Sequence, residues 1–355
     1  MAVIEVEHLR RQYGAVSAVD DISFSVEEGE ILVIVGSSGC GKTTTLRSIA
    51  GLDTPTSGCI RIDGRTVVGD GTFVPPEHRG VGMVFQSYAL WPHKTIFENV
   101  AYSLVVKGIP IGEIRQAVAD ALALVGLSGS EERYPSTLSG GQQQRIALAR
   151  CAVARPRVML LDEPLSNLDS KLREQMRAEL RMLIKELRST AVHITHDQTE
   201  AMGLADRIIV MRNGRIEQMG TGREIYRRPA NKFVADFIGV ATFLQGSVVE
   251  VADHDQVKVV LQSGLELWAT SNHSAQQGEV VLCLRPESVE IAEERTPGAN
   301  LVTGTILSET FLGNHTEYVI NIGGVSIKSH SQRDFGVGQT VSVSIPKNAL
   351  VCLPA

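Results

Sequence analysis

Apolar residues in this chain follow three different rules, and the rule changes with position. Three short runs are almost apolar throughout: Ile31-Leu32-Val33-Ile34-Val35, Val158-Met159-Leu160-Leu161 and Ala191-Val192-His193-Ile194-Thr195. Short runs without alternation predict strands covered on both faces, as in a parallel sheet. Between them the spacing is helical. Ile111–Val125 reads as an amphipathic helix, and Gln143–Ala154 is rich in helix formers with apolar positions at helical intervals. Beyond Phe237-Ile238-Gly239 the period falls to two, in Gly246–Val251, Gln256–Val260, Thr316–Ile320 and Thr340–Ile345, with Gly, Asn and Asp turns between. That pattern predicts a small all-β barrel. The chain therefore divides into an α/β domain over 1–239 and a β-barrel domain over 240–355. At 355 residues, either part is long enough to bury its own core.

Directly after the first apolar run stands Gly36-Ser37-Ser38-Gly39-Cys40-Gly41-Lys42-Thr43, and Thr44-Thr45-Leu46 continue it. Strand, glycine-rich turn and helix start match G-x-x-x-x-G-K-[ST], the loop that wraps the phosphates of ATP or GTP. Gly36, Gly39 and Gly41 permit backbone angles that let successive N–H groups face one anion. The helix beginning near Lys42 adds the positive end of its dipole. Lys42 reaches the outer phosphates, and the Thr43 hydroxyl is placed to hold Mg²⁺. A glycine-rich turn with a fortuitous lysine is the bland alternative, and the flanking strand and helix argue against it.

A second helix start has the same character. Leu138-Ser139-Gly140-Gly141-Gln142 precedes the Gln143–Ala154 run, with Ser139 as a natural N-cap and two glycines that let N–H groups face outward. Taken alone, this is an ordinary cap. The second apolar run ends in Asp162-Glu163-Pro164, and the third delivers His196 and Asp197. Ligands of parallel sheets bind at the carboxyl ends of the strands, so these groups share one edge with the phosphate loop. There Asp162 is placed to meet Mg²⁺ and Glu163 the water that attacks the γ-phosphate. His193 and His196 do not form a metal pair, because an offset of three on a strand puts them on opposite faces.

Composition excludes several classes. Hydrophobic residues make up 43%, charged residues 21%, and mean hydropathy is +0.04, values of a water-soluble globular protein. No apolar run approaches the ~20 residues that span a bilayer. The N-terminus lacks the basic flank and apolar core of a signal peptide, which predicts a cytosolic chain that meets membranes through partners. Net charge is −6, and residues 240–355 carry twelve Asp/Glu against six Lys/Arg. That acidity argues against nucleic acid as a partner. The five cysteines are scattered with no Cys-x-x-Cys pair, and predict free thiols. Cys40 is notable for lying inside the phosphate loop.

Together these residues resemble the ATP-binding cassette (ABC) transporter ATPases over residues 3 to about 239. Leu138 to Gln142 matches that family's signature sequence, Gln86 falls at its Q-loop, and Ser166-Asn167-Leu168-Asp169 looks like its D-loop, with Asn167 where Ala is commonest. His196 sits at the switch histidine, and Tyr13 where a ring stacks on adenine. The resemblance implies a P-loop NTPase cassette of mixed sheet with a helical subdomain over about 87–155, whose first helical stretch the sequence places at Glu98–Leu104. It implies catalysis by Glu163, His196 and Lys42. It implies nucleotide binding by Tyr13, Gly36, Ser37, Ser38, Gly39, Cys40, Gly41, Lys42, Thr43, Thr44 and Gln86. Mg²⁺ falls to Thr43, Gln86 and Asp162. Two cassettes pack head to tail, so Ser139, Gly140, Gly141, Gln142 and Asp169 contact ATP in the partner subunit's site. The aromatic stretch Tyr88–Phe97 receives a helix from one of two membrane-spanning permease subunits, placing the chain on the cytoplasmic face of the plasma membrane, with an extracytoplasmic solute-binding protein as indirect partner.

Arg285-Pro286-Glu287 resembles an element of the C-terminal regulatory domain of importer cassettes. Those importers carry ferric iron, polyamines, sugars or sulfate-type anions. Phe73–Arg79 and Leu90-Trp91-Pro92-His93 look most like the ferric-iron group. Two rival readings are compatible with these residues: a soluble ABC ATPase without a membrane partner, and an oligonucleotide-binding barrel at the C-terminus. A GTPase or kinase has no use for Leu138 to Gln142.

Overall fold

The computed structural model describes residues 2–252, 255–271, 277–292 and 299–354. They form two compact units, Met1–Gly222 and Arg223–Ala355.

A six-stranded sheet organises the first unit, in the spatial order Arg215–Gly220, Arg207–Arg212, Ile31–Gly36, Thr190–Thr195, Val158–Asp162, Val81–Val84. The last five are parallel, and Arg215–Gly220 pairs antiparallel at one edge. Every residue of Ile31–Gly36, Val158–Asp162 and Thr190–Thr195 is buried, as expected of strands covered on both faces. A second, antiparallel sheet runs Val16–Glu27, Ala2–Tyr13, Ser57–Ile62, Arg65–Gly69, Thr72–Phe73. Its Ile4, Val6, Leu9, Ile22 and Phe24 share one core with Leu32, Ile34, Leu160, Val192 and Ile194 of the parallel sheet. Helix α1 (Lys42–Ala50) contributes Leu46 and Ile49 to that core.

Helices α2 (Ile96–Val106), α3 (Ile111–Leu124) and α4 (Gly140–Ala152) pack on one another as a helical cluster. Helix α2 starts at Ile96 rather than near Glu98. Thr95 and Glu98 form a capping box, in which the Thr95 hydroxyl accepts from Glu98 N and the Glu98 carboxylate accepts from Thr95 N. Helices α5 (Ser170–Glu186) and α6 (Gln198–Leu204) follow the strands that carry Asp162 and His193.

The second unit holds the short helices α7 (Gly222–Arg227, beginning at the last residue of the first unit) and α8 (Lys232–Phe237), and two sheets. Thr242–Val251, Gln256–Leu261, Glu266–Ser271, Leu350–Pro354 and Gly278–Leu284 close into a barrel. Glu290–Ala292, Thr340–Pro346, Ala299–Phe311, Thr316–Ile322 and Val325–Ser331 make a separate five-stranded sheet. One core serves both: Leu244, Val257 and Leu267 of the barrel cluster with Ile306, Tyr318 and Val343 of the sheet. The alternating pattern of Thr316–Ile322, buried at every second residue, is what the period-two sequence predicted.

Candidate active site

The phosphate loop leaves the carboxyl end of Ile31–Gly36, which lies in the interior of the parallel sheet between Arg207–Arg212 and Thr190–Thr195. Close packing dictates its glycines. A Cβ at Gly36 would lie 2.3 Å from Met211 O, and one at Gly41 would lie 2.3 Å from Ala18 O. Gly41 is also the N-cap of α1, at φ +105°, a conformation that glycine adopts without strain. Lys42 is 5% exposed, and its ammonium donates to Gly36 O (2.8 Å) and Ser37 O (3.0 Å), so the cation lies along the rim of the loop. Cys40 is buried with its Sγ 3.9 Å from Lys42 Nζ. Burial pushes the Cys40 thiol up, and the neighbouring ammonium only partly offsets this. Ser37, Ser38 and Gly39 are exposed, and Thr43 and Thr44 are half-buried on the first turn.

Val158–Asp162 delivers two carboxylates in different environments. Asp162 is 6% exposed, and burial pushes its carboxyl up. Arg47 and a hydrogen bond to the Thr43 side chain oppose that rise, while Glu163 adds to it. A buried carboxylate beside a hydroxyl is a hard-oxygen donor set with charge left to neutralise, which fits Mg²⁺. Glu163, one residue on, has φ +44°, a left-handed conformation that costs a non-glycine residue about 1–2 kcal/mol. Its amide N donates to Ile194 O (3.1 Å). The turn swings the Glu163 carboxylate out to where His196 Nδ1 stands 3.1 Å from Oε2 and Gln86 Nε2 donates to the same oxygen at 3.4 Å. His196 is 59% exposed and Glu163 17%. Lys42, Thr43, Asp162, Glu163, Gln86 and His196 thus come from the carboxyl ends of neighbouring strands and the segments that follow them. A buried acid, an acid–imidazole pair and an anion cradle are among the parts that phosphoryl transfer to water uses.

Other predicted residues take their hydrogen bonds elsewhere. Tyr13 is 47% exposed; its hydroxyl donates to Asp53, and the Arg11 guanidinium lies 4.3 Å from its ring centroid. Ser139 caps α4 through a capping box with Gln142, with Ser139 N donating to Gln142 Oε1 at 3.1 Å. Gly141 is close-packed, since a Cβ there would lie 2.7 Å from Leu172 Cδ2. Asp169 caps α5, accepting from Leu172 N at 3.0 Å. His193 is fully buried within Thr190–Thr195, whereas His196 lies exposed just beyond the end of that strand, so the two do not share a strand.

Sequence reasoning named Ser166, Asn167 and Asp197 without their holding roles, and it passed over Arg173 and Glu200. Asn167 Nδ2 donates to Gln86 O (3.1 Å), and Ser166 Oγ donates to Glu163 O (2.9 Å). Arg173 reaches from α5 to Asp197 (3.2 Å) and to Leu168 O (2.8 Å), joining the turn after His196 to the turn before α5. Glu200, 3% exposed, takes His193 Nε2 at 2.7 Å and the Thr195 hydroxyl at 2.6 Å. The Asp197-x-x-Glu200 spacing is a helix-start signature and was a legible signal for this part.

Known proteins share both units. The family model described as ABC transporter matches residues 19–166, and the TOBE domain model matches residues 282–353. The spermidine/putrescine import ATP-binding protein PotA of Rubrobacter xylanophilus is 44% identical over 350 residues, covering 96% of this chain and 91% of that protein. The Fe(3+) ions import ATP-binding protein FbpC of Rhizobium etli is 42% identical over 355 residues, covering 99% of this chain and 98% of that one. A dimeric ATP-binding cassette, solved in a post-hydrolysis state bound to ADP and Pi, superposes with TM-score 0.55 at 32% identity, covering 62% of this chain and 99% of its own. With the phosphate cradle, the paired carboxylates and relatives matching nearly end to end, the chain belongs to the ATP-binding subunits of ABC transporters, the importer-type ATPases that carry a C-terminal β-barrel domain.

Proposed function

We propose that the chain hydrolyses ATP as one half of a cassette dimer and so energises uptake of ferric iron. One observation supports the chemistry above all: the Glu163 carboxylate lies within reach of both His196 (3.1 Å) and Gln86 (3.4 Å), beside the buried Asp162. Lys42 and the loop amides neutralise charge on the outer phosphates. Losing one such aimed donor typically costs about 2.7–4 kcal/mol of transition-state stabilisation. Glu163 takes the proton of the attacking water or orients it, a role worth roughly 10²–10⁴ in rate. His196, hydrogen-bonded to that carboxylate, fixes its orientation. Thr43, Asp162 and Gln86 are the residues that would hold Mg²⁺, which when bound supplies positive charge at the β- and γ-phosphate oxygens. Tyr13 offers a ring for the adenine.

In this reading Ser139, Gly140, Gly141, Gln142 and Asp169 serve the nucleotide held by the partner subunit. The reading is favoured by a simple count, since the chain has two glycine-bearing helix starts of anion-binding type but one phosphate loop. Two permease subunits hold the dimer at the cytoplasmic face of the membrane, docking on the helical subdomain about 87–155, and an extracytoplasmic binding protein presents the solute. Residues 240–355 act as a regulatory domain. The relatives are named for Fe(3+) import and for spermidine/putrescine import at 42% and 44% identity, so polyamine uptake is the second reading of the cargo. Uptake of radiolabelled ferric iron and of putrescine by cells with and without the gene separates the two. For the chemistry, Glu163→Gln is expected to bind ATP as tightly as wild type and to lose nearly all turnover. Full hydrolysis in that variant refutes the assignment of Glu163.

A further inference from the structure

Two residues after Gln86 the backbone enters an unusual conformation. Tyr88 and Ala89, consecutive and neither of them glycine, have φ +60° and +48°. L residues enter the left-handed region singly and at a cost, so a pair in sequence needs something that holds it. That something is Arg150, in the last turn of α4. Its Nη2 donates to Tyr88 O and its Nη1 to Ala89 O, each at 2.6 Å. The guanidinium lies 5.3 Å from the Trp91 ring centroid, and burial lowers its pKa with no carboxylate among the described residues acting on it. A charged fork spent on two main-chain carbonyls is a geometric device, because an ion-pairing role would bring an acid to meet it. The next part of the segment is fixed as well: Asn99, fully buried, accepts from Trp91 N (2.9 Å) and donates to Trp91 O (3.1 Å).

We propose that Arg150 is a positioning residue for hydrolysis: it holds the Tyr88–Ala89 turn in its left-handed form and thereby keeps the Gln86 amide beside Glu163. Asn167 holds the Gln86 carbonyl from one side, and the Arg150 clamp fixes the chain two residues further on. Without the clamp the turn relaxes toward ordinary φ values and carries Gln86 away from Glu163 Oε2. The same helix carries the Ser139 corner at its first turn, about 16 Å away at 1.5 Å per residue. A shift of the Gln86 segment therefore reaches that corner through one rigid rod.

The inference rests on Gln86 and Glu163 belonging to the hydrolytic site, and the experiment keeps the two apart. In the full chain, Arg150→Met is expected to lower kcat by about ten- to a hundredfold, as displaced positioning groups do. KM for ATP should stay within about twofold. Hydrogen exchange at residues 88–95 should speed up in that variant. Ala89→Gly, which accepts the left-handed turn freely, should change wild type little yet recover at least about threefold of kcat in the Arg150→Met background, a coupling that additive effects would not give. Should Arg150→Met fail to fold, Arg150→Lys, which keeps the charge but not the fork, takes its place in the same cycle. Unchanged kcat, or an Ala89→Gly effect identical in both backgrounds, overturns the proposal. Undiminished turnover in Glu163→Gln overturns the site assignment instead, whatever Arg150 does.

Discussion

At Gly41 an added Cβ would press on the Ala18 carbonyl oxygen at 2.3 Å, whereas at Gly39 (φ +77°) it would meet no described residue within 4 Å. The two substitutions are therefore unequal. Gly39→Ala costs about 1–2 kcal/mol of backbone strain. Gly41→Ala adds a clash with main chain and should lower ATP affinity at least about tenfold more, measured by titration with a fluorescent nucleotide. Arg79 makes a similar point from the polar side. It is 5% exposed, with burial lowering its pKa to about 10, and it donates to Ser48 O, Ile49 O and Val74 O. The cation thus closes the carboxyl end of α1, the end where the helix dipole favours it. Arg79→Met strands those carbonyls, and chemical denaturation should register a loss of about 2–4 kcal/mol.

Glu200 gives the residue scale a pH signature. Burial alone would raise its carboxyl, but His193 and Thr195 outweigh burial and leave it lowered. A lowered carboxyl stabilises the fold above its unfolded value of about 4.3, and that contribution drains away as pH falls through the lower folded value. The stability gap between wild type and Glu200→Gln should be widest near neutrality and should narrow below about pH 4. A gap that is constant with pH would show that the His193–Glu200 contact carries no charge-dependent stabilisation.

Among the elements, those with strong periodicity were legible and those defined by long-range pairing were not. The strands Ile31–Gly36, Val158–Asp162 and Thr190–Thr195 announce themselves by unbroken burial, and the phosphate loop by its glycines. The antiparallel sheet of Ala2–Tyr13 and Val16–Glu27 went unread. Register shifts along that pair interrupt its alternation, and bulges hide a period of two. Helix α2 begins two residues before Glu98 because its start is set by side-chain capping rather than by apolar spacing. Thr95→Ala removes that box and should cost about 1 kcal/mol, read from thermal or urea unfolding. The Glu163 turn, with φ +44°, has no sequence signal at all, since nothing local distinguishes it from a helix start. Its conformation follows from the main-chain bond to Ile194 on the neighbouring strand. Within the second unit, alternation disclosed the strands but could not sort them into a closed barrel and a separate sheet, a distinction made only by pairing.

For the whole molecule the sharpest expectation concerns assembly. If ATP is held between two chains, the Glu163→Gln protein should sediment as a dimer with ATP and as a monomer without it. Adding Lys42→Ala, which strips the cradle of its cation, should abolish the dimer. A monomer under all conditions would defeat the shared-site reading.

The placement of Ser139 and Arg150 at opposite ends of α4 has a further consequence for mixed populations. A chain with a broken clamp would lose its own Gln86 but keep the corner it lends to its neighbour, because cutting the clamp uncouples the segment from the rod. When wild-type and Arg150→Met chains are blended, total turnover should then fall in a straight line with the intact fraction. A decline with the square of that fraction would mean that one broken clamp also silences the partner's site.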